Sequence, residues 1–203
     1  MTDAAMPAEL SDRLQANDAA LAARVALGDA AALGPLYQRH RGPVYRFALL
    51  WSGSASVAAD VAQDVFLHFL AHAGDYDPAR GPLQPWLLGI TRNFVHRRTG
   101  ADARYVANDE GVEPAVPDLD APTPETALAT QRDLARLRAA IAALPPHYRD
   151  VLVLVELAER SYAEAAAICG CELNTVRSRL SRARGLVARW LAAPAGASQA
   201  ARG

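Results

Sequence analysis

Residues 161–184 read "SYAEAAAICGCELNTVRSRLSRAR". Ser161 stands three residues before Glu164, the spacing of a capping box, in which hydroxyl and carboxylate each satisfy a free amide at a helix start. A helix from Tyr162 is therefore predicted, and Gly170 is placed to end it. Asn174 is a good N-cap for a second helix. Helix, short glycine-containing turn, helix is the outline of a helix-turn-helix. On the second helix Val176, Leu180, Ala183, Val187 and Trp190 fall on one narrow stripe that must face a core. The other side carries Arg177, Ser178, Ser181, Arg182, Arg184 and Gly185. Four arginines and no acid occupy Asn174 to Arg184. A merely solvated helix face usually mixes signs, with acids at i, i+4 supporting the bases. Small hydroxyls between guanidiniums instead suit a major groove, where arginine reads guanine edges or holds phosphates. Such a face by itself does not separate one class of DNA-binding protein from another.

Upstream, "LPPHYRDVLVLVELAE" (Leu144–Glu159) contains a β-branched run that propensity alone would allow as a buried strand. Pro145 and Pro146 suit a first helical turn and the neighbouring segments have helical period, so helix is predicted. Leu134, Leu137, Ile141 and Leu144 continue that period. Farther back, "DEGVEPAVPDLDAPTP" (Asp109–Pro124) holds four prolines, many acids and few large apolar residues, the composition of a linker. Before it, "GPLYQRHRGPVYRFALLW", "SVAADVAQDVFLHFLAHA" and "PWLLGITRNFVHRRT" each space apolar residues by three and four. The fold class is therefore all-α, two small helical domains joined by a flexible linker. The boundaries predicted are an N-terminal tail over 1–19, a first domain over 20–105, an acidic linker over 106–127, a second domain over 128–192 and a C-terminal tail over 193–203.

The chain has 203 residues, 51% of them hydrophobic, and a formal charge of −1. That balance hides segregation: Arg80–Arg104 and Arg160–Arg189 are each net positive, whereas Val106–Thr126 has six acids and no base. All 21 basic residues are arginine, whose planar, permanently charged fork suits bidentate contact with phosphate or guanine. The N-terminus has no basic start followed by an apolar run, and no apolar stretch is long enough to span a bilayer, so a cytoplasmic protein without membrane insertion is expected. Cys169 and Cys171, at i, i+2, are too few for a zinc site and poorly placed for a disulfide, and are read as small apolar fillers.

The run from Ala143 to Val187 resembles the promoter-reading domain of extracytoplasmic-function (ECF) sigma factors, the two-domain class of the sigma-70 family. The matching residues are Leu144-Pro145, then Ser161, Tyr162 and Glu164. Thr175-Val176-Arg177-Ser178-Arg179-Leu180, Arg182, Ala183 and Arg184 follow. "DVAQDVF" is similar to the family's polymerase-binding helix through Asp60, Gln63, Asp64 and Phe66. "PWLLGITRN" is similar to the next helix through Trp86, Leu87, Ile90, Arg92 and Asn93. Pro85 before the tryptophan, Thr91 in place of alanine and the small-residue "AAAICGC" depart from the pattern.

The resemblance implies sigma region 2-like and region 4-like domains that bind core RNA polymerase and direct promoter-specific initiation. It also implies core polymerase, promoter DNA and an anti-sigma factor as partners, and no cofactor. Asp60, Gln63, Asp64 and Phe66 would dock on the polymerase, with charge pairs around an apolar anchor. Val61, Val65 and Phe69 are read as core. Arg80, Trp86, Arg92, Asn93, His96, Arg97 and Arg98 would meet the minus-ten strand, the Asp75–Pro85 loop receiving an unstacked base. Trp86 is read chiefly as core packing. Thr175, Arg177, Ser178, Ser181, Arg182 and Arg184 would read the minus-thirty-five element. Alternatives are a sigma-like regulator and a stand-alone helix-turn-helix factor, although the first would not need the arginine face nor the second the "DVAQDVF" helix. Asp64, His68 and His72 fall at i, i+4, i+8, but Phe69 stands where a zincin helix needs Glu, and no metal is assigned. No phosphate loop, nucleophile elbow or usefully spaced Cys-His pair is present, so an enzyme is not expected.

Overall fold

The computed structural model describes residues 8–100 and 127–193. Among them are eight α-helices and no strand: α1 (Ala8–Ala26), α2 (Leu33–Ser52), α3 (Ala55–His72), α4 (Leu83–Thr99), α5 (Ala127–Ala143), α6 (Pro146–Leu152), α7 (Tyr162–Cys169) and α8 (Leu173–Ala192). Helix α1 covers most of the stretch predicted as an N-terminal tail, and α5 begins at Ala127, the last residue given to the linker. The remainder of the linker lies outside the described residues.

The first domain is a bundle of α2, α3 and α4 with α1 across it. Leu36, Val44, Phe47, Val61, Val65, Phe69, Leu83, Leu87 and Val95 are buried, one apolar stripe from each helix, as three- and four-residue spacing demands. Val61, Val65 and Phe69 are thus core, as predicted. Ser54 caps α3 by accepting from the Val57 amide. Helix α1 is fastened by a buried carboxylate: Asp18 accepts from Arg39 Nη1 and, at 2.8 Å, from His40 Nε2. Burial depresses the His40 pKa although Asp18 opposes the shift, and the Arg39 charge adds to the depression. The unfolded chain then takes up this proton first, so stability is full above the ordinary histidine value of 6.5 and falls as pH drops toward the depressed one. Urea midpoints at pH 7.5 and 5.5 should differ in the native chain, and the difference should shrink in His40→Gln; an unchanged difference would remove His40 as the cause.

In the second domain the run Val151–Leu157 is helical, as its flanking prolines predicted. Pro146 opens α6, and Val153–Leu157 continues it as a wider π-helical turn. That turn ends at Ala158 and Glu159, the latter in the left-handed region at φ 54°. The Arg160 amide returns to the Leu154 carbonyl at 2.8 Å. The capping box at α7 is complete, with Ser161 and Glu164 reciprocally bonded, and Gly170 closes the helix at φ 63°. The N-cap of α8 is Glu172 and not Asn174. The ladder starts two residues earlier because the Glu172 carbonyl accepts the Thr175 and Val176 amides, leaving Asn174 inside the first turn with its carboxamide accepting from Arg177 Nη1 at 3.2 Å. Val176, Leu180 and Ala183 are buried in the same apolar cluster as Val151, Leu154 and Ala165, with Val187 packed at its edge.

The two domains pack on each other, and their buried residues form one continuous apolar cluster. Helix α7 lies along α4, and a Cβ at Gly89 would sit 3.9 Å from the Ile168 carbonyl oxygen, an ordinary van der Waals contact.

Candidate nucleic-acid interface

Helix α8 turns its buried stripe inward and leaves the opposite face open. Arg177, Ser178, Ser181, Arg182 and Arg184 are exposed, and Thr175 is half-buried. All three arginines carry light restraints from their own domain, Arg177 through the Asn174 carboxamide and the other two through residues of α6 and the turn after it. Arg182 Nη1 donates to the Tyr148 hydroxyl at 3.4 Å. Arg184 Nε donates to Glu156 Oε1 at 3.1 Å, and that hydrogen bond and charge raise the Arg184 pKa. Surface pairs of this kind exchange readily with water, so both guanidiniums can turn to a phosphate or a base.

In the first domain the residues assigned to the minus-ten strand separate into three groups. Arg80, Trp86 and Asn93 line a cavity of about 600 Å³ together with Tyr76, Gly81 and Pro85. The loop framing it is held by the Tyr76 hydroxyl, which donates to the Gly81 carbonyl at 3.0 Å, and by Asp77, which accepts the Ala79 amide at 2.9 Å. Trp86 is half-buried, its ring 5.9 Å from Phe69 and 5.7 Å from Tyr76, so it packs against the core and also walls the cavity. The far wall is α7, through Ala163, Glu164, Ala167 and Ile168.

Arg97 and Arg98 are exposed. Arg97 lies over the Phe94 ring at 4.9 Å. Arg98 clamps two acids of α3, meeting Asp60 Oδ2 at 2.9 Å and Asp64 Oδ2 at 2.7 Å.

Arg92 and His96 face the second domain. His96 is only 2% exposed. The Asp150 carboxylate accepts from Arg92 Nε at 2.6 Å, from His96 Nε2 at 2.8 Å and from Trp51 Nε1 at 2.8 Å. Burial would raise the Asp150 pKa, but the His96 hydrogen bond and the Arg92 charge outweigh it and hold the carboxyl below its ordinary value. Beside it the Arg149 guanidinium lies 4.4 Å over the Trp51 ring. Sequence reading missed Asp150 and Trp51. The available signal was an Arg-Asp pair inside an apolar helix, since buried charges persist only when paired.

A second surface runs between α2 and α3, an apolar groove of about 700 Å³ that includes Tyr37, Arg41, Tyr45, Gln63, Phe66 and Leu67. Gln63 and Asp60 are exposed and Asp64 is half-buried. Phe66, assigned as the exposed apolar anchor, is only 4% exposed and meets the edge of Tyr37 at 4.8 Å. Leu67, 57% exposed, stands on the outside instead. His68 and His72 stack at 4.3 Å. Among the described residues no group of three His, Cys, Asp or Glu is placed to hold a metal. Burial pushes the Cys169 thiol up to about 12, which keeps it protonated and apolar in character.

Family models for sigma-70 region 2 and sigma-70 region 4 match residues 36–104 and 134–186, which make up the helical bundle and the helix-turn-helix domain. The chain is 35% identical over 166 residues to the ECF RNA polymerase sigma factor SigE of Mycolicibacterium smegmatis, covering 78% of this chain and 62% of that one. It is 36% identical over 182 residues to SigM of Mycobacterium tuberculosis, covering 88% and 87%. Its fold superposes on CnrH, solved in complex with the cytosolic domain of CnrY, with a TM-score of 0.63 and 27% identity over 86% of this chain and 97% of that one. The two domains are those of the sigma-70 family. Within it, this chain belongs to the ECF RNA polymerase sigma factors, DNA-binding proteins of transcription initiation.

Proposed function

We propose that the three surfaces divide the work of initiation. The α2–α3 groove, with Gln63 in its lining and with Asp60 and Asp64 farther round α3 against Arg98, docks on core polymerase. The cavity at Arg80, Trp86 and Asn93, with Arg92, His96, Arg97 and Arg98 along α4, takes the melted minus-ten strand. The open face of α8 reads the minus-thirty-five element. The protein itself catalyses nothing, since the polymerase supplies the chemistry, and it works in the cytoplasm. Among the described residues no helix is long and apolar enough to cross a membrane. An anti-sigma factor is the expected regulator, a reading supported by the likeness to CnrH, which was solved bound to CnrY.

The observation that carries this reading is α8, whose Val176, Leu180 and Ala183 are buried while Arg177 and Arg182 on the other side stand in solvent. A helix so anchored presents its arginines in fixed register to a groove. Arg177→Ala and Arg182→Ala should be compared in run-off transcription from the cognate promoter and from promoters altered singly in the upstream element. An arginine that reads a guanine should lose base preference by on the order of tenfold to a hundredfold. One that holds a phosphate should weaken all sequences alike. Native output and native base preference in both variants would refute the assignment of this face.

A further inference from the structure

We propose that Glu156 is a positioning residue for promoter reading: it occupies one edge of the Arg184 guanidinium, so that Arg184 selects a guanine edge over a phosphate. This deepens the reading of α8 given above and rests on it.

Between Asn174 and Arg184 the helix α8 carries four arginines and no acid. Glu156 supplies a carboxylate to that face from another element, the π-helical turn Val153–Leu157 that continues α6. By regular helical spacing residue 156 would share a side with Leu152 and Val153, both of which are buried. The turn is instead one residue wider, its Ala158 amide reaching the Val153 carbonyl at 2.8 Å. Glu156 is thereby carried off the buried side to an exposed position. Single π-turns within helices recur at functional sites, and this one aims an acid at α8. Arg177 and Arg182 bond neutral groups, the Asn174 carboxamide and the Tyr148 hydroxyl. Arg184 meets a charge.

Arg184 Nε and Nη2 both donate to Glu156 Oε1, Nε at 3.1 Å. A guanidinium holds five N–H donors in a fixed fork, and this contact uses its side edge. The end edge, formed by Nη1 and the second Nη2 hydrogen, stays free. Guanine O6 and N7 accept two parallel donors of that kind. A phosphate approaching the same edge also meets the Glu156 charge, and like charges set side by side repel. Guanine is uncharged and incurs no such repulsion. The Glu156–Arg184 pair is also close to neutral, so it adds little to the sequence-independent attraction of DNA, which grows with the phosphates neutralised. Arg184 is thus set to read a base, whereas Arg177 and Arg182 turn their full charge toward the DNA.

Glu156→Gln keeps the size of the side chain and removes the charge. The two side chains are 37% and 56% exposed, so losing the pair costs the fold little, and circular dichroism checks that the helices persist. Binding of the full chain to a short labelled duplex of random sequence is measured by fluorescence anisotropy over a range of salt. Glu156→Gln should bind severalfold tighter, with a log–log salt slope steeper by about 0.9, the value of one added phosphate contact. A damaged fold would not tighten binding. In an Arg184→Ala background the same substitution should change nothing, because Glu156 acts through Arg184. In run-off by the reconstituted holoenzyme, from promoters altered singly in the upstream element, Glu156→Gln and Arg184→Ala should each lose about tenfold preference at the same position. A native salt slope or a native base preference in Glu156→Gln, or equal tightening without Arg184, would overturn this role for Glu156. The reading of α8 would survive that result if Arg177→Ala or Arg182→Ala alters duplex binding or base preference. If none of these variants alters either, the reading of α8 falls together with the proposal.

Discussion

Gln63→Ala combined with Asp64→Arg is expected to abolish copurification with core polymerase while the helical content stays native. Gln63 is exposed on the rim of the α2–α3 groove, and Asp64 sits on the same helix one residue later. A docking surface that pairs acids with a basic partner loses more from charge reversal than from simple deletion, because attraction becomes repulsion. Together with the loss of the carboxamide the effect should exceed that of a single hot-spot residue, about 2 kcal/mol or roughly thirtyfold in affinity. The same substitution releases Arg98 from Asp64, leaving Asp60 as its remaining partner. Arg98→Ala is therefore the needed control, since it removes the clamp without altering the proposed docking charges and should retain copurification. The pair is partly exposed, so its loss costs the fold little. Recovery of the double variant with polymerase at native yield would sink the docking assignment. Leu67→Ser extends the test to the apolar part of the groove, where the exposed leucine takes the place assigned from spacing to Phe66.

Phe69→Ala should lower the melting temperature by at least about 12 °C. Phe69 is fully buried between α2, α3 and α4, and its ring edge meets Trp86. Truncating a buried phenylalanine removes its transfer free energy and leaves a cavity, together costing about 3–5 kcal/mol. In a domain of this size each 1 kcal/mol corresponds to about 4–8 °C. Trp86 loses a neighbour in the same step, so the cavity wall it forms should loosen and its fluorescence should change before global unfolding. Phe69→Leu, which refills most of the volume, should recover the larger part of the loss. A melting temperature within about 3 °C of native for Phe69→Ala would place this ring outside the cooperative core.

The all-helical fold and the helix-turn-helix were legible because their determinants lie within a turn or two of each other. Ser161 and Glu164 meet across one turn, Gly170 acts at its own φ, and Val176, Leu180 and Ala183 share a face by spacing alone. The arginine face of α8 followed from the same arithmetic. Near misses occurred where local signals competed. Asn174 is the better capping side chain, but the backbone at Glu172 starts the ladder, and a side chain cannot move a helix start that packing has already fixed.

The sequence by itself determined the periods, the caps and the segregation of charge, since each is a property of residues near one another in the chain. Tertiary structure alone decided how far the covered side of α3 extends, turning Phe66 in and leaving Leu67 out. It also decided that Arg92 and His96, legible as donors, face a carboxylate 58 and 54 residues away, and that Trp51 reaches the same carboxylate from 99 residues off. No local pattern encodes such a meeting. It forms only when two apolar surfaces close on each other and strip the water from a charge that must then find its partners inside.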